Sequence, residues 1–245
     1  MNKSNDLTVI TAVENDCGGI LDLMVQSIHK FTNPIPKIIL CNQGKKNIDS
    51  YLKYTNLTIV NHSPSISGGS NRHGCALNKV LPMVTTKRTA IVESDCIVLC
   101  DGWDSSGGKR VLAAKKAEKK DKILYHVCFM VFETEMLKNV DFRPGTDKTR
   151  VSGRPYNLWE DVGWRVDEKI KPKDVGLLTF IDCKAGNGQY FGSNFQSDEF
   201  WFNGKAVVAH FGRGSNISGK AIRKNFKHPK EQLEEWKKIA EEALK

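Results

Sequence analysis

Short, nearly unbroken apolar runs alternate with longer segments of helical period in the first part of the chain. The runs are residues 7–13 (LTVITAV), 36–41 (PKIILC), 57–60 (LTIV) and 89–92 (TAIV). They are rich in β-branched residues and lack in–out alternation, which predicts strands covered on both faces. Between them, residues 19–31 place Ile20, Leu23, Met24, Ser27, Ile28 and Phe31 on one face of a 3.6-residue period. Residues 70–83 do the same with Cys75, Leu77, Val80 and Leu81. This alternation predicts an α/β fold with a mostly parallel central sheet, right-handed crossovers and flanking helices, a Rossmann-like nucleotide-binding half.

The later part is less regular. Residues 123–133 (ILYHVCFMVFE), 177–181 (LLTFI) and 206–211 (AVVAHF) predict further strands. Loops rich in Gly, Asn, Pro and Ser cover 143–156 and 185–196, and long loops inside a compact domain usually carry function. At the end, Pro229 suits a first helical turn, and Leu233, Trp236, Ala240 and Ala243 recur at helical spacing. The expected organisation is one domain over residues 1–228, in halves 1–104 and 105–228, with a helix over 229–245 packed on it.

Composition adds limits. The chain has 245 residues, 40% hydrophobic and 27% charged, enough to bury a sizeable core. No run approaches the roughly 20 apolar residues of a membrane span, so no integral membrane association is expected. The apolar run after Asp6 is too short for a secretory signal, which predicts a cytoplasmic protein. Seven cysteines, odd in number and without a C-x-x-C pair, read as reduced, buried thiols. The net charge is +9, concentrated in residues 109–122 and 220–230, and favours anionic partners. The first of these runs reads as a solvated helix face, and neither carries the aromatic stripe of a strand-tracking groove.

The most informative segment is residues 89–103, TAIVESDCIVLCDGW. A buried strand ends in Glu93-Ser94-Asp95, two carboxylates two residues apart and therefore pointing the same way. Ligands of open α/β sheets bind beyond the carboxyl ends of strands, and paired acids there hold a divalent cation against a diphosphate.

Six motifs occur in an order that resembles the inverting GT-A glycosyltransferases, loosely glycosyltransferase family two and its viral and bacterial relatives. They are residues 8–15 (TVITAVEN), 38–44 (IILCNQG), 68–78 (GGSNRHGCALN), Glu93-Ser94-Asp95, Trp159-Glu160-Asp161 and 209–215 (AHFGRGS). The resemblance implies a GT-A fold and transfer of a sugar from a nucleotide-diphosphate sugar, UDP- or GDP-linked, to a glycan or other acceptor hydroxyl. It implies Mn²⁺ or Mg²⁺ held by Asp95 and His210, and donor contacts from Thr11, Ala12, Glu14, Asn42, Arg72, His73, Glu93, Ser94 and Arg213. Asp161 becomes the general base, with Glu160 as the alternative, and Trp159 an acceptor platform. Two positions depart from the family pattern: Asn42 stands where an aspartate contacts the nucleoside, and Glu93 replaces the first aspartate of D-x-D. The basic charge admits a second reading, the same donor chemistry on a hydroxymethylated base in DNA. The two departures admit a third, a non-catalytic nucleotide- or sugar-binding module.

Overall fold

A computed structural model describes residues 6–14, 19–44, 46–65, 69–120, 122–145, 161–183, 187–192, 197–212 and 229–245, the last from Gln232 onward with side chains. Four parallel-paired strands come first: β1 (Leu7–Val13), β2 (Lys37–Asn42), β3 (Leu57–Asn61) and β4 (Arg88–Val92). Each lies within a residue or so of its apolar run. Helix α1 (Ile20–Lys30) follows β1, and α2 (Gly69–Val80) follows β3. The next strands are β5 (Cys96–Val98), β6 (Val111–Lys119) and β7 (Lys122–Glu133), then the single turn α3 (Thr134–Leu137). The chain continues through β8 (Val175–Asp182), β9 (Asp198–Phe202), β10 (Lys205–His210) and helix α4 (Pro229–Ala243).

Among the described residues the strands form one sheet, ordered β3-β2-β1-β4-β7-β6-β8-β9-β10-β5. The expectation of a mostly parallel sheet needs correction. The first four strands and the β6–β8 pair are parallel, but β4–β7, β6–β7, β8–β9, β9–β10 and β5–β10 are antiparallel. The reason is connectivity. Beyond β4 the β6–β7 and β9–β10 pairs are hairpins, and tight turns join antiparallel strands.

A second correction concerns the lysine-rich run at 109–122, which is strand and turn rather than helix. Gly107 and Gly108 adopt left-handed φ of 61° and 83°, closing the turn that launches β6. Val111–Ala114 then pair with β7 on one side and β8 on the other, and this pairing overrides the helical preference of Lys, Ala and Glu. Asp161 likewise opens no α-helix. Gly163 sits at φ 76°, packed so closely on Val127 that a Cβ would collide with it, and only a 3-10 turn at Val166–Glu168 follows.

Among the described residues three apolar clusters hold the layers. Met24, Val25 and Ile28 of α1 pack on one face of the sheet against Val9, Leu40 and Val92. Ala76, Leu77 and Val80 of α2 cover the other with Ile10, Ile39 and Ile91. The third cluster seats α4: Leu233, Trp236 and Ala240 meet Ile20, Ile97, Phe191 and Phe211, with Trp236 and Phe191 stacked 5.0 Å apart.

Candidate donor and metal site

The carboxyl ends of β1 and β4 meet the start of α2 around a cavity of about 440 Å³. Two glycines allow the close approaches that shape it. A Cβ on Gly44 would collide with the Glu14 carbonyl oxygen, so only glycine lets the ends of β1 and β2 converge. A Cβ on Gly74 would strike the backbone of Phe142 and Arg143, against which α2 lies. That contact seats the preceding His73 in the cavity wall.

Past β4 the chain turns through Glu93-Ser94-Asp95 into β5. The Glu93 N–H donates to the Cys128 carbonyl at 2.9 Å, and the Asp95 carbonyl accepts from the Phe211 N–H at 2.9 Å. The turn is thus pinned to β7 on one side and to the end of β10 on the other. β10 lies antiparallel to β5, with His210 opposite Cys96, and to β9, with His210 opposite Asp198. His210 therefore joins three carboxylates. Its Nε2 is 3.1 Å from Glu93 Oε2 and 3.3 Å from Asp95 Oδ1, and its Nδ1 is 3.1 Å from Asp198 Oδ2. His73 Nδ1 takes the other Glu93 oxygen at 3.1 Å.

Burial alone would push Glu93 up, but His73 and His210 outweigh it and hold this carboxyl well below its usual range. Burial would push His210 down, yet Asp95 and the Asp198 hydrogen bond keep it well above the ordinary imidazole value. The donor set suits a divalent cation. Ligands at right angles on an octahedral ion lie about 3 Å apart, the spacing that His210 Nε2 keeps from each carboxylate oxygen. Cys96 and Cys128 complete two possible ligand triads, with Asp95–His210 and Glu93–His210 respectively. Burial pushes both thiols up, which leaves the hard carboxylates and the imidazole as the effective donors.

Asp161 lies on the same cavity. Its Oδ2 is 3.1 Å from Lys116 Nζ, and its Oδ1 accepts the Val162 N–H at 2.8 Å. Burial would raise this carboxyl, but Lys116, these bonds and the Ser70 hydroxyl hold it below the usual value. It is a carboxylate at neutral pH.

Of the residues expected from the sequence, Ala12, Glu14, His73, Glu93, Ser94, Asp95, Asp161 and His210 line this one cavity. Arg72 stands just behind it, 2.9 Å from Glu14 and hydrogen-bonded to the Gln43 carbonyl. Thr11 does not reach the cavity: it is fully buried on the strand face opposite Ala12. Asn42 lines a separate pocket of about 300 Å³ with Asn47, Asp49 and Asn61. Its amide is committed to the Gly44 N–H, the Lys46 carbonyl and Asn61. Trp159, Glu160 and Arg213 fall outside the described residues.

Sequence reading missed Gln43, Ser70, Lys116, His126 and Asp198, which also line the cavity. It missed Glu199 behind it, a fully buried carboxylate. Glu199 accepts the N–H groups of Gln189, Tyr190 and Phe191 and the indole N–H of Trp201. The D-E pair opening β9 was the available signal, since acids at the head of an apolar run require partners.

No family model matches the chain, and no curated protein matches it. Solved structures that align with it include S. aureus TarS 1–349 in complex with UDP-GlcNAc, at 11% identity and a TM-score of 0.46, over 71% of this chain and 56% of that one. The mannosyltransferase PcManGT from Pyrobaculum calidifontis, in complex with GDP-Man and Mn²⁺, aligns at 13% identity and a TM-score of 0.43, over 64% and 49%. The galactosyltransferase LgtC with donor and acceptor sugar analogues aligns at 8% identity and a TM-score of 0.42, over 55% and 60%. The chain thus matches half to three-fifths of the length of each of these proteins. Among the described residues no helix is long and apolar enough to cross a membrane.

Proposed function

We propose that this chain is a GT-A glycosyltransferase that moves a sugar from a nucleotide-diphosphate sugar to an acceptor hydroxyl with inversion. One observation carries the reading. Asp95 and Glu93, at the carboxyl end of a parallel strand, share His210 from a distant strand, and Asp161 faces the same cavity. The wall is crowded with acids, so a diphosphate enters only with a cation. Asp95 and His210, with Glu93, would hold Mn²⁺ or Mg²⁺. Such an ion neutralises the charge that grows on the leaving diphosphate.

The chain's own groups supply the rest. Asp161 takes the acceptor proton as that oxygen bonds to the anomeric carbon and the bond to the diphosphate breaks. Glu160 is the alternative base. His73, at the start of α2, orients Glu93 and faces the donor, and Arg72 with Glu14 closes the nucleotide side. Arg213 and Trp159 remain candidates for phosphate and acceptor contact. UDP- and GDP-sugars are the first donors to test.

The test is a thermal-shift panel of nucleotide sugars with and without Mn²⁺, coupled to donor hydrolysis. A metal-dependent rise in midpoint with one nucleotide series is expected. Asp95→Asn should abolish both the shift and the hydrolysis, whereas EDTA should reproduce that loss in the parent. Unchanged hydrolysis in Asp95→Asn would sink the assignment. A shift without any turnover would favour a binding module.

A further inference from the structure

The cavity is acidic, yet the chain is basic, and among the described residues one surface beside the cavity gathers cations. The hairpin of β6 and β7 packs its second strand against the 3-10 turn Val166–Glu168. Residues 115–122 and 165–173 together carry nine cations against four acids, a local net charge of +5. Lys119, Lys120 and Lys122 on the hairpin and Arg165, Lys169 and Lys171 beside it are exposed. Lys115 is taken by Glu118 at 2.6 Å. The surface runs to the reaction centre, because Lys116 lines the cavity 3.1 Å from Asp161.

No aromatic residue interrupts the lysine run itself, but the fold supplies one. Trp164, three residues after Asp161, is half-buried. Lys122 Nζ lies over its ring at 5.9 Å from the centroid and the Arg165 guanidinium at 4.9 Å. Its indole N–H donates to the Arg143 carbonyl at 3.2 Å, which fixes the plane of the ring. Cations interleaved with an aromatic platform are the arrangement by which proteins hold an unpaired nucleic-acid strand: phosphates on the cations, a base on the ring.

We propose that the acceptor is a nucleic-acid strand, bound across the β6–β7 hairpin with one base against Trp164 and a neighbouring hydroxyl directed at Asp161. The chemistry rests on the glycosyltransferase reading, whereas the binding does not. The charge pattern accounts for the division of labour. Acids in the cavity repel a polyanion, so the strand stays on the basic surface and only one extruded nucleotide enters. A neutral glycan has no use for such a surface.

The experiment is fluorescence anisotropy of a labelled 20-mer single-stranded DNA with the full chain, in EDTA and without donor. Binding is expected at 50 mM salt, weakening about 20- to 50-fold by 200 mM if three or four phosphates are contacted. Lys119→Glu with Lys120→Glu should weaken it and flatten the salt slope. Trp164→Ala should cost roughly ten-fold or more, and Trp164→Phe, which keeps a stacking face, should restore most of it. Melting curves of each variant confirm folding, and Trp164→Phe keeps the test alive if Trp164→Ala does not fold. Absence of binding at 50 mM salt overturns the proposal, as does heparin binding equally well with Trp164 immaterial, since that is charge attraction alone. If the strand fails to bind while Mn²⁺-dependent donor hydrolysis persists, only the acceptor proposal falls. If it binds and no nucleotide sugar does, the glycosyltransferase reading falls and this surface stands.

Discussion

Glu199 offers a test of the architecture that does not depend on any substrate. Its side chain is fully buried. Oε1 accepts the Tyr190 and Phe191 N–H groups at 2.8 and 3.0 Å, Oε2 accepts the Trp201 indole N–H at 2.9 Å, and the Gln189 N–H reaches both. Hydrogen bonds to a charged group contribute about 1.5–3 kcal/mol each, and an orphaned buried donor costs about 1–3 kcal/mol. Glu199→Gln keeps one acceptor oxygen but turns an amide N–H against either the indole or the loop. The expected loss is therefore about 2.5–6 kcal/mol, one charged bond and one orphan. In a chain of this length each kcal/mol shifts the midpoint by about 2–4 °C, so melting should fall by at least about 5 °C. The assay is a circular-dichroism melt, with Glu234→Gln on the exposed side of α4 as the control that should barely move. Since Phe191 stacks on Trp236, the loss should also loosen α4, read as faster proteolysis near the C-terminus. A Glu199→Gln midpoint within about 1 °C of the parent would refute the claim that this carboxylate anchors the 187–192 loop.

Two further stability tests follow from the site. Gly44→Ala drives a methyl into the Glu14 carbonyl and should lower the urea midpoint by the equivalent of about 1–3 kcal/mol, with weaker donor binding as β1 and β2 are forced apart; an unchanged midpoint counts against the close approach. His126 is held down to about 3, first by burial and then by the Lys116 charge, so it stays neutral in the fold and is protonated in the unfolded chain below about 6.5. The unfolded state then binds the extra proton, and its contribution to stability is complete above pH 6.5 and falls by about 1.4 kcal/mol per unit towards pH 3. His126→Phe, whose ring suits the contacts to Phe180 and Phe200, should lose about 2 kcal/mol less than the parent between pH 7 and pH 5 in urea melts; equal losses would show that His126 is not the titrating group.

The legible parts of this chain and the illegible ones differ physically. β1, β2 and β4 are written in the sequence because strands covered on both faces need continuous apolar runs. Glu93 and Asp95 were legible from their place in the ordered motifs, since an E-x-D triplet alone is common by chance. β6 was not: Lys115 to Lys119 have the composition of a helix, and only pairing with β7 makes them extended. β9 was hidden because Asp198 and Glu199 disfavour a strand start until His210 and the 187–192 loop neutralise them. The ion pair between Lys116 and Asp161 depends wholly on the hairpin's docking, which no local pattern encodes. The same holds for Asn42, whose amide turns inward to the Gly44 loop.

The pairing of β10 with β5 sets the order in which the protein becomes competent. Asp95 emerges from the ribosome long before His210, and the strand that carries His210 also brings it against Asp198. Contacts of such wide sequence separation form late, after most of the chain entropy has been lost. A partly synthesised chain that ends before β10 therefore carries Glu93 and Asp95 without His210. The cluster of two carboxylates and one imidazole is complete only once β10 is in place.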